Sequence, residues 1–346
     1  MANLDFIRAL PKAELHLHLE GAIEPATLVE LARRHPEPFR PNNSKYTEPS
    51  TLDLTDPAVV EQLYEYKDFG GFLMAFKAVT EQLRTPEDYE LATYRLMQRL
   101  KEENVLHAEV YISVGVVQWR GQEFAPILEG LERGRAAGTR DFGVSLLWIF
   151  DAVRHFGAEA AQRVFEEAVR YRDRGVIGVG IGGDERRAAA DLFRQSYAFA
   201  KQNGLRLTAH AGETDGPASI WGALNLGAER LGHALTAWQD RELMAVLVER
   251  QVPLEICVTS NLRTGCCRGV EQHPLKTYFD LGAMVTLNSD DPAMFRTSLL
   301  GEYALAQDKF EFTDEQLREL ARNSFEASFL PAEKKVEFLR QIDALA

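Results

Sequence analysis

Cysteine is scarce in this chain, and that scarcity excludes several classes of protein. The 346 residues include only three cysteines, Cys257, Cys266 and Cys267. An odd number without metal-ligand spacing argues against a disulfide framework and against a cysteine zinc site, so we expect a protein of the reducing cytoplasm. No apolar run is long enough to cross a bilayer, and the N-terminus lacks a basic segment followed by an apolar signal core.

Positive charge is also in deficit. Lys and Arg number 39 against 52 Asp and Glu, which gives a formal net charge of -13. Nucleic-acid backbones and anionic membranes would be repelled by such a chain, so neither is expected as a main partner. A small-molecule ligand is the better expectation. The length is sufficient for one large α/β barrel or for two smaller domains.

Short apolar runs with strand character alternate with helical patterns along the whole chain. The predicted strands are residues 14–19, 105–113, 142–150, 178–181, 206–210, 230–232, 254–256 and 285–288. Helical patterns occupy 158–174, 187–202, 240–250 and the tail from 313 onward. Eight such units predict a single α/β domain over residues 1–346, a (β/α)8 TIM-type barrel with reactive groups at the carboxyl ends of its strands. A doubly wound open sheet is the alternative, but no glycine-rich dinucleotide fingerprint follows the first strand.

Residues 36–84 exceed what a minimal βα unit needs. This segment starts as a loop rich in Pro and Asn and continues into an apolar stretch, 69–76, that is interrupted by a glycine pair. One interpretation is a helix packed on the barrel. The other is a lid-like insertion that closes a pocket against water, in which case Phe72 and Phe76 would touch the ligand. Further extra helices are expected at the C-terminus.

The segment Glu-Leu-His-Leu-His-Leu-Glu-Gly, residues 14–21, is the most informative part of the sequence. In a strand, His16 and His18 point to one side of the backbone and the intervening leucines to the other. Two imidazoles on one face of a strand can form half of a metal site. Alternatively, they can be a histidine pair on a solvent-exposed strand. Three later segments favour the metal site, because His210, His233 and Asp290 each lie where an apolar run gives way to a loop.

These residues fit the chemistry of a hydrolytic zinc centre. Such zinc sites commonly take three or more nitrogen or oxygen ligands and leave a position for water, whose pKa falls to about 7. A set of this kind is available from strands one, five and eight, whose ends meet at one mouth of a barrel. Its members are His16, His18, His210 and Asp290.

Three neighbouring residues complete the predicted site. Glu213 lies three residues after His210, close enough to act as a proton donor. His233, at the end of the sixth strand, can serve as a base or orient the attacking water. Asp291 directly follows Asp290, so its side chain must point elsewhere and is free to bind substrate.

The chain resembles the adenosine deaminase family of zinc hydrolases over nearly its whole length. The segments that carry this resemblance are HLHLEG at 16–21, GGDE at 182–185, HAGET at 210–214, LGH at 231–233, SN at 260–261 and NSDDP at 288–292. Together they are highly specific, although any single segment would be weak. The resemblance implies one zinc ion per chain, held by His16, His18, His210 and Asp290.

The same resemblance implies a role for each of the other site residues. Glu213 would protonate the purine N1, the backbone N–H of Gly183 would bind N3, and Asp291 would accept from N7. Attack at C6 would be assisted by His233 and Asp290, and ammonia would leave. The His-x-Glu and Pro-Cys-x-x-Cys motifs of the other zinc deaminase class are absent from the sequence.

One departure from the family pattern and one arginine bear on the choice of substrate. Glu20 stands where the typical adenosine enzymes have Asp, which can contact the sugar. Glu at that place also occurs in relatives that deaminate free adenine, or 6-amino-6-deoxyfutalosine, a purine nucleoside with a carboxyphenyl tail used in making menaquinone. Arg263 follows the seventh strand and is either a solvated loop cation or a partner for that carboxylate. The runs 76–80 and 148–153 make the chain look closest to the aminodeoxyfutalosine group.

Other functions stay open on the sequence alone. Adenosine deaminase and adenine deaminase are the alternatives within the family. A non-catalytic protein that binds zinc or purine would need a missing acid or base, and none is missing. Two-metal relatives often use a bridging Lys carboxylate after a middle strand, and residues 178–183 contain no Lys, which favours one metal. The sequence makes no prediction of the oligomeric state.

The purified protein should carry about one zinc ion per chain, and removing it should abolish deamination, because four ligands leave one position open for water. Elemental analysis before and after chelation, paired with an ammonia-release assay, measures both quantities. His210→Ala should lose the metal together with the activity. Active protein without any transition metal would refute the assignment.

Overall fold

Eight parallel strands form the centre of the molecule in sequential order, each paired with the next. The computed structural model describes residues 2–35, 37, 39, 51–66 and 69–345. The strands are β1 (Lys12–His18), β2 (Val105–Ile112), β3 (Ser145–Val153), β4 (Val176–Gly182), β5 (Arg206–Ala211), β6 (Arg230–His233), β7 (Leu254–Ile256) and β8 (Val285–Leu287).

The sheet returns to its first strand just beyond β8. The backbone N–H of His18 donates to the carbonyl of Asp290 at 2.9 Å, and the N–H of Asp290 donates to the carbonyl of His16 at 3.1 Å. These contacts bring the end of β8 against β1, so the predicted (β/α)8 barrel is confirmed and the doubly wound open sheet is wrong. The closing contacts involve predicted metal ligands, so closure of the barrel also assembles the site.

Helices surround the strands and fill the connections between them. They are α1 (Leu4–Ala9), α2 (Pro25–Arg34), α3 (Pro57–Tyr64), α4 (Phe69–Gln82), α5 (Pro86–Glu102), α6 (Val114–Trp119), α7 (Phe124–Phe142), α8 (Ala158–Arg170), α9 (Arg194–Gln202), α10 (Pro217–Leu226), α11 (Arg241–Glu249), α12 (Val258–Arg263), α13 (Leu275–Asp280), α14 (Pro292–Phe295), α15 (Leu299–Phe310), α16 (Asp314–Ala327) and α17 (Ala332–Asp343). None of these described helices combines the length and apolar character that a bilayer crossing needs.

The third strand starts later than the sequence predicts. Residues 142–144 are not part of β3, because α7 continues to Phe142 and Gly143 then ends it in the left-handed region at φ +72°. Glycine adopts this conformation without the steric cost that a Cβ brings, which makes it a common residue just beyond a helix. The predicted helix 158–174 is likewise two pieces, α8 and a short 3₁₀ turn over Arg172–Arg174.

Strand β1 is buried along its entire length. The predicted alternation is present, since Leu15 and Leu17 belong to the main apolar core while His16 and His18 turn to the barrel mouth. At the opposite end, the buried amine of Lys12 donates to the carbonyls of Ile7 at 2.8 Å and Leu10 at 2.6 Å. The strand therefore joins an apolar outer face to a polar barrel interior.

The interior carries a chain of buried charges in place of a purely apolar filling. Arg230 is fully buried, and its guanidinium forms ion pairs with Glu109 and Glu255. His107 lies 3.3 Å from the other oxygen of Glu109. Burying such groups is costly unless every charge has a partner, so these residues depend on one another. Glu255, the last residue of this row of buried charges, reaches the site described below.

The segment 36–84 covers the mouth of the barrel where it is described. Its residues 36, 38, 40–50, 67 and 68 lie outside the described part of the chain. Helix α4 places Phe72 against Phe295, with ring centroids 5.1 Å apart, and Phe76 6.0 Å from Phe72. The segment is thus a packed helical cover in its described part. Its opening and closing as a lid stays a prediction.

Candidate active site

Histidines and one aspartate converge where strands β1, β5, β6 and β8 end. His18 Nε2 lies 3.3 Å from His210 Nε2 and 3.4 Å from Asp290 Oδ1, and His16 Nε2 lies 3.5 Å from the same Asp290 oxygen. His233 also joins the cluster, with its Nε2 3.9 Å from Asp290 Oδ2. The structure therefore brings together the four predicted ligands and adds His233 beside them.

The orientation of His16 fits a metal ligand. Its Nδ1 lies 2.8 Å from Glu255 Oε2, so that nitrogen is engaged. Its Nε2 is buried and has no hydrogen-bond partner among the described residues. A Cβ on Gly232 would lie 2.6 Å from His16 Cε1, so only glycine leaves room for the ring. A buried imidazole nitrogen left free beside a carboxylate is the arrangement that a cation would complete.

His210 is oriented in the same way by the backbone. Its Nδ1 donates to the carbonyl of Ile181 at 3.1 Å, which leaves Nε2 to face the cluster. Burial lowers the pKa of His210 well below its usual value, and burial lowers the pKa of His18 to about 4. Both imidazoles are therefore neutral at neutral pH, as coordination to a metal requires.

Asp290 supplies the negative charge of the cluster from an unusual backbone position. Its φ is +64°, a left-handed conformation that the two backbone hydrogen bonds with β1 impose. Ser260 donates to its Oδ2 at 2.6 Å. Burial alone would raise the pKa of Asp290, but the adjacent imidazoles, His16 first among them, hold it well below the usual range. The carboxylate is thus ionised and aimed at the imidazoles.

The electrostatics at His16 favour a cation. Burial lowers its pKa, but the adjacent carboxylates of Asp290 and Glu255 outweigh that effect and raise the pKa to about 10. The two carboxylates therefore stabilise positive charge at this ring. A divalent cation bound at Nε2 would satisfy the same carboxylates in place of a proton.

His233 is held by a hydrogen-bonded relay from behind. Its Nδ1 accepts from the Asn261 side-chain amide at 3.1 Å, and the Asn261 oxygen accepts from His273 Nε2 at 3.1 Å. With Nδ1 acting as acceptor, a neutral His233 carries its proton on Nε2, which faces Glu213 at 3.7 Å. The relay fixes both the ring direction and the tautomer.

Glu213 is positioned by another carboxylate. Glu185 accepts from three successive backbone N–H groups of the loop after β5, at Gly212, Glu213 and Thr214, over 2.7 to 2.9 Å. Burial raises the pKa of Glu213 above its usual value. A carboxyl group shifted in this direction can hold a proton near neutral pH and donate it.

The cluster forms the floor of a cavity of about 990 Å³. The predicted site residues that line it are His18, Phe72, Phe76, Gly183, His210, Glu213, His233, Asp290 and Asp291. Gly183 has φ +90°, a conformation suited to glycine, and its exposed backbone can approach a ligand closely. Asp291 Oδ1 is buried without a partner among the described residues, and burial together with Asp290 raises its pKa well above the usual range.

Two predicted substrate residues lie outside the described lining of this cavity. Glu20 is 2% exposed and lies behind the wall, where its Oε1 accepts from the Ser113 N–H at 3.0 Å. Burial raises the pKa of Glu20 to about 7. Arg263 is exposed, and its guanidinium carbon lies 5.6 Å from the ring centre of Tyr66. The contacts of Glu20 and Arg263 with substrate stay predictions. The positions of these two residues do not favour such contacts.

Sequence reasoning missed the residues that hold the site in place. Glu255, Asn261, Glu185 and Asp151 are buried, and burial raises the pKa of the cavity-lining Asp151 to about 8. A signal for Glu255 was present, since a glutamate inside a short apolar strand needs a buried cationic partner. Asn261 and Glu185 lay within recognised motifs without an assigned role.

A match to the family model described as adenosine deaminase covers residues 11–345. The chain belongs to the adenosine deaminase family. It is 38% identical to the aminodeoxyfutalosine deaminase of Streptomyces avermitilis, over 98% of this chain and 92% of that protein. The protein is therefore a hydrolytic deaminase of the amidohydrolase superfamily.

Two solved structures share the fold over nearly the full chain. An adenine deaminase from Arthrobacter aurescens superposes with a TM-score of 0.87 at 29% identity, covering 96% of this chain and 98% of that one. An amidohydrolase from Burkhoderia ambifaria with bound Zn gives a TM-score of 0.87 at 26% identity, covering 100% and 94%. The family likeness thus spans more than one substrate, and one structural relative contains zinc.

Glu255→Gln should weaken metal binding by about 10–100-fold, because the neutral amide no longer strengthens His16 as a ligand. The zinc dissociation constant, measured by competition with a chromophoric chelator, reports this effect directly. Glu302→Gln is the matched control, since Glu302 is another buried glutamate but contacts Thr259 and Thr297 instead of the cluster. An unchanged dissociation constant in Glu255→Gln would mean that the contact with His16 does not tune the site.

Proposed function

We propose that this protein is a zinc-dependent deaminase that hydrolyses the C6 amino group of a 6-aminopurine nucleoside and releases ammonia. We further propose 6-amino-6-deoxyfutalosine as its best substrate, which would place the reaction in menaquinone biosynthesis in the cytoplasm. The observation that carries the chemistry is the cluster of His16, His18, His210 and Asp290 beside a cavity whose lining includes Glu213 and His233.

The donor set suits zinc, because imidazole nitrogens and a carboxylate oxygen are the ligands of hydrolytic zinc sites. His16, His18, His210 and Asp290 would hold the ion. When bound, zinc lowers the pKa of a water molecule so that a nucleophile is available at neutral pH. We assign His233 beside the metal, because its Nδ1 is engaged by Asn261 and its Nε2 faces both Glu213 and Asp290.

The remaining residues position the purine and move protons. Glu213, as the protonated acid, donates to N1, which makes C6 more electrophilic. The Nε2–H of His233 orients the attacking water, and Asp290 accepts the water proton as the oxygen bonds to C6. Asp290 passes this proton to the C6 amino group, which leaves as ammonia when the C6–N bond breaks, and the C6 hydroxyl returns its proton to Glu213 as it becomes a carbonyl.

Two further contacts would orient the ring. The backbone N–H of Gly183 donates to N3, and Asp291 binds N7. The N7 atom of a neutral purine carries a lone pair and no hydrogen, so the Asp291 carboxyl must donate to it. This direction is the reverse of the sequence-based expectation, and it agrees with the burial of Asp291 beside another carboxylate.

The size of the cavity supports a substrate larger than a free base. About 990 Å³ is at the upper end of the range for pockets that enclose drug-sized ligands. The Streptomyces avermitilis relative named aminodeoxyfutalosine deaminase points the same way. Adenine deamination is the second candidate, and the structural likeness to the Arthrobacter aurescens adenine deaminase favours it.

Glu213→Gln should reduce kcat by at least about 10²–10⁴-fold, because the amide keeps the shape of the side chain but cannot donate the proton. Zinc content and thermal stability should stay close to those of the unchanged protein. Asp215→Asn, two residues away with its side chain bonded to the Gly216 N–H, is the control and should stay active. Loss of zinc from Glu213→Gln would show that the residue is a ligand.

With the unchanged enzyme, 6-amino-6-deoxyfutalosine should give a higher kcat/KM than adenosine, and adenosine should give a higher kcat/KM than adenine. Binding energy from the distant part of the larger substrate can be used to stabilise the transition state at the purine. Ammonia release with each compound at matched enzyme concentration measures the order. Adenine as the fastest substrate would overturn the nucleoside assignment, and no ammonia from any of them would favour a non-catalytic binding protein.

A further inference from the structure

We propose that Arg120 and Arg84 form a subsite for an anionic group at the far end of the substrate, and that this group is a carboxylate on an aromatic tail. The inference rests on the proposed deamination of a purine nucleoside and names the residues that would read its tail. Both arginines line the same cavity as the catalytic residues. We call this pair the anion subsite.

The anion subsite lies away from the strand ends where the chemistry would occur. Arg120 directly follows α6, which starts after Ser113 at the end of β2. The six residues of α6 span about 9 Å at a rise of about 1.5 Å per residue. Arg84 comes two residues after the end of α4, the helix that carries Phe72 and Phe76 of the aromatic cover. A group bound there would be remote from the purine.

The two guanidinium groups converge on one acceptor. Arg84 Nε donates to the carbonyl oxygen of Glu81 at 2.9 Å, and Arg120 Nη2 donates to the same oxygen at 3.4 Å. One carbonyl oxygen with two lone pairs can accept both bonds, but it carries no full negative charge to balance two cations. The shared contact holds both side chains, and among the described residues no carboxylate occupies the other N–H groups of Arg120.

The charges around this pair are incompletely balanced. Arg84 forms an ion pair with Glu37, and Lys77 lies 3.5 Å from a carboxylate oxygen of Glu81. Arg120 has no carboxylate within 4.0 Å among the described residues, although it is half-buried. Like charges brought together in a partly dry wall favour the entry of an anion. Arg120 is the member of the pair that an incoming carboxylate would meet without displacing another ion pair.

Aromatic rings beside Arg120 fit the rest of such a tail. Trp119 and Phe156 stack with ring centroids 5.8 Å apart and an interplanar angle of 16°, and both line the cavity. Trp119 is 69% exposed, which is uncommon for so large an apolar side chain. A planar aryl group could extend this stack while its carboxylate reaches the guanidinium. A bare phosphate would use the arginines but not the rings, so the aryl carboxylate is favoured.

This placement differs from the expectation that Arg263 reads the tail. Arg263 packs over Tyr66, and it is not among the residues that line the described cavity. Arg186 does line the cavity, but it is exposed and belongs to the loop after β4. Arg263→Gln and Arg186→Gln are therefore matched controls for Arg120→Gln, since each removes one positive charge from the same side of the barrel.

The decisive experiment compares kcat/KM of Arg120→Gln on 6-amino-6-deoxyfutalosine, AMP and adenosine in the zinc-loaded enzyme. The variant should lose about 10–100-fold on the carboxylated nucleoside, mainly through KM, as expected for one charge-assisted hydrogen bond. Adenosine turnover should change by less than about threefold. Arg120→Lys should recover part of the loss, because it restores the charge without the guanidinium fork.

Each alternative has its own outcome. Equal losses on all three compounds would show that Arg120 only supports the wall, and a selective loss on AMP would identify a phosphate subsite. A kcat/KM loss on the carboxylated nucleoside in Arg263→Gln but not in Arg120→Gln would show that Arg263 binds the tail. If adenosine is deaminated but the carboxylated nucleoside is not, the proposed substrate is wrong. The inhibition constant of the carboxylated nucleoside against adenosine turnover then tests the anion subsite separately. If Arg120→Gln leaves this inhibition constant unchanged, the anion subsite is wrong.

Discussion

The contact between Glu255 and His16 joins the stability of the barrel to the chemistry at its mouth. One oxygen of Glu255 lies 2.8 Å from His16, and the other pairs with the buried Arg230 at 2.6 Å. Arg230 continues to Glu109, so a row of compensated charges runs inside the barrel up to a predicted metal ligand. Removing Arg230 would take away the cation that the two buried carboxylates share, so Arg230 supports the carboxylate that orients the predicted ligand.

The division of labour in the cavity follows from the architecture. Groups at the strand ends are held by backbone pairing, and the cluster of histidines and Asp290 lies there, with Glu213 in the loop just beyond β5. The surrounding wall comes from helices α4 and α6, which the barrel does not constrain in sequence. Deamination chemistry can therefore be shared across the family while the wall differs between its members. The proposed anion subsite belongs to this wall and not to the strand ends.

Sequence patterns predicted the barrel and the converging residues well. Alternating apolar runs located all eight strands, and the position of each His or Asp at the end of a run placed it at the mouth. The error at residues 142–144 arose because an apolar residue can end a helix as well as begin a strand, and Gly143 decides between them through its backbone conformation. The roles of individual ligands and acids stay predictions until metal and activity are measured.

By itself, the sequence determined the number and order of strands, the family and the residue types available for catalysis, because these depend on local periodicity and short motifs. Only the tertiary structure showed that Glu255 supports His16, that Asn261 orients His233, and that Arg84 and Arg120 meet at the Glu81 carbonyl. It also moved Glu20 and Arg263 away from the cavity lining. Contacts between residues far apart in the chain depend on how helices and strands pack, and no local pattern encodes those distances.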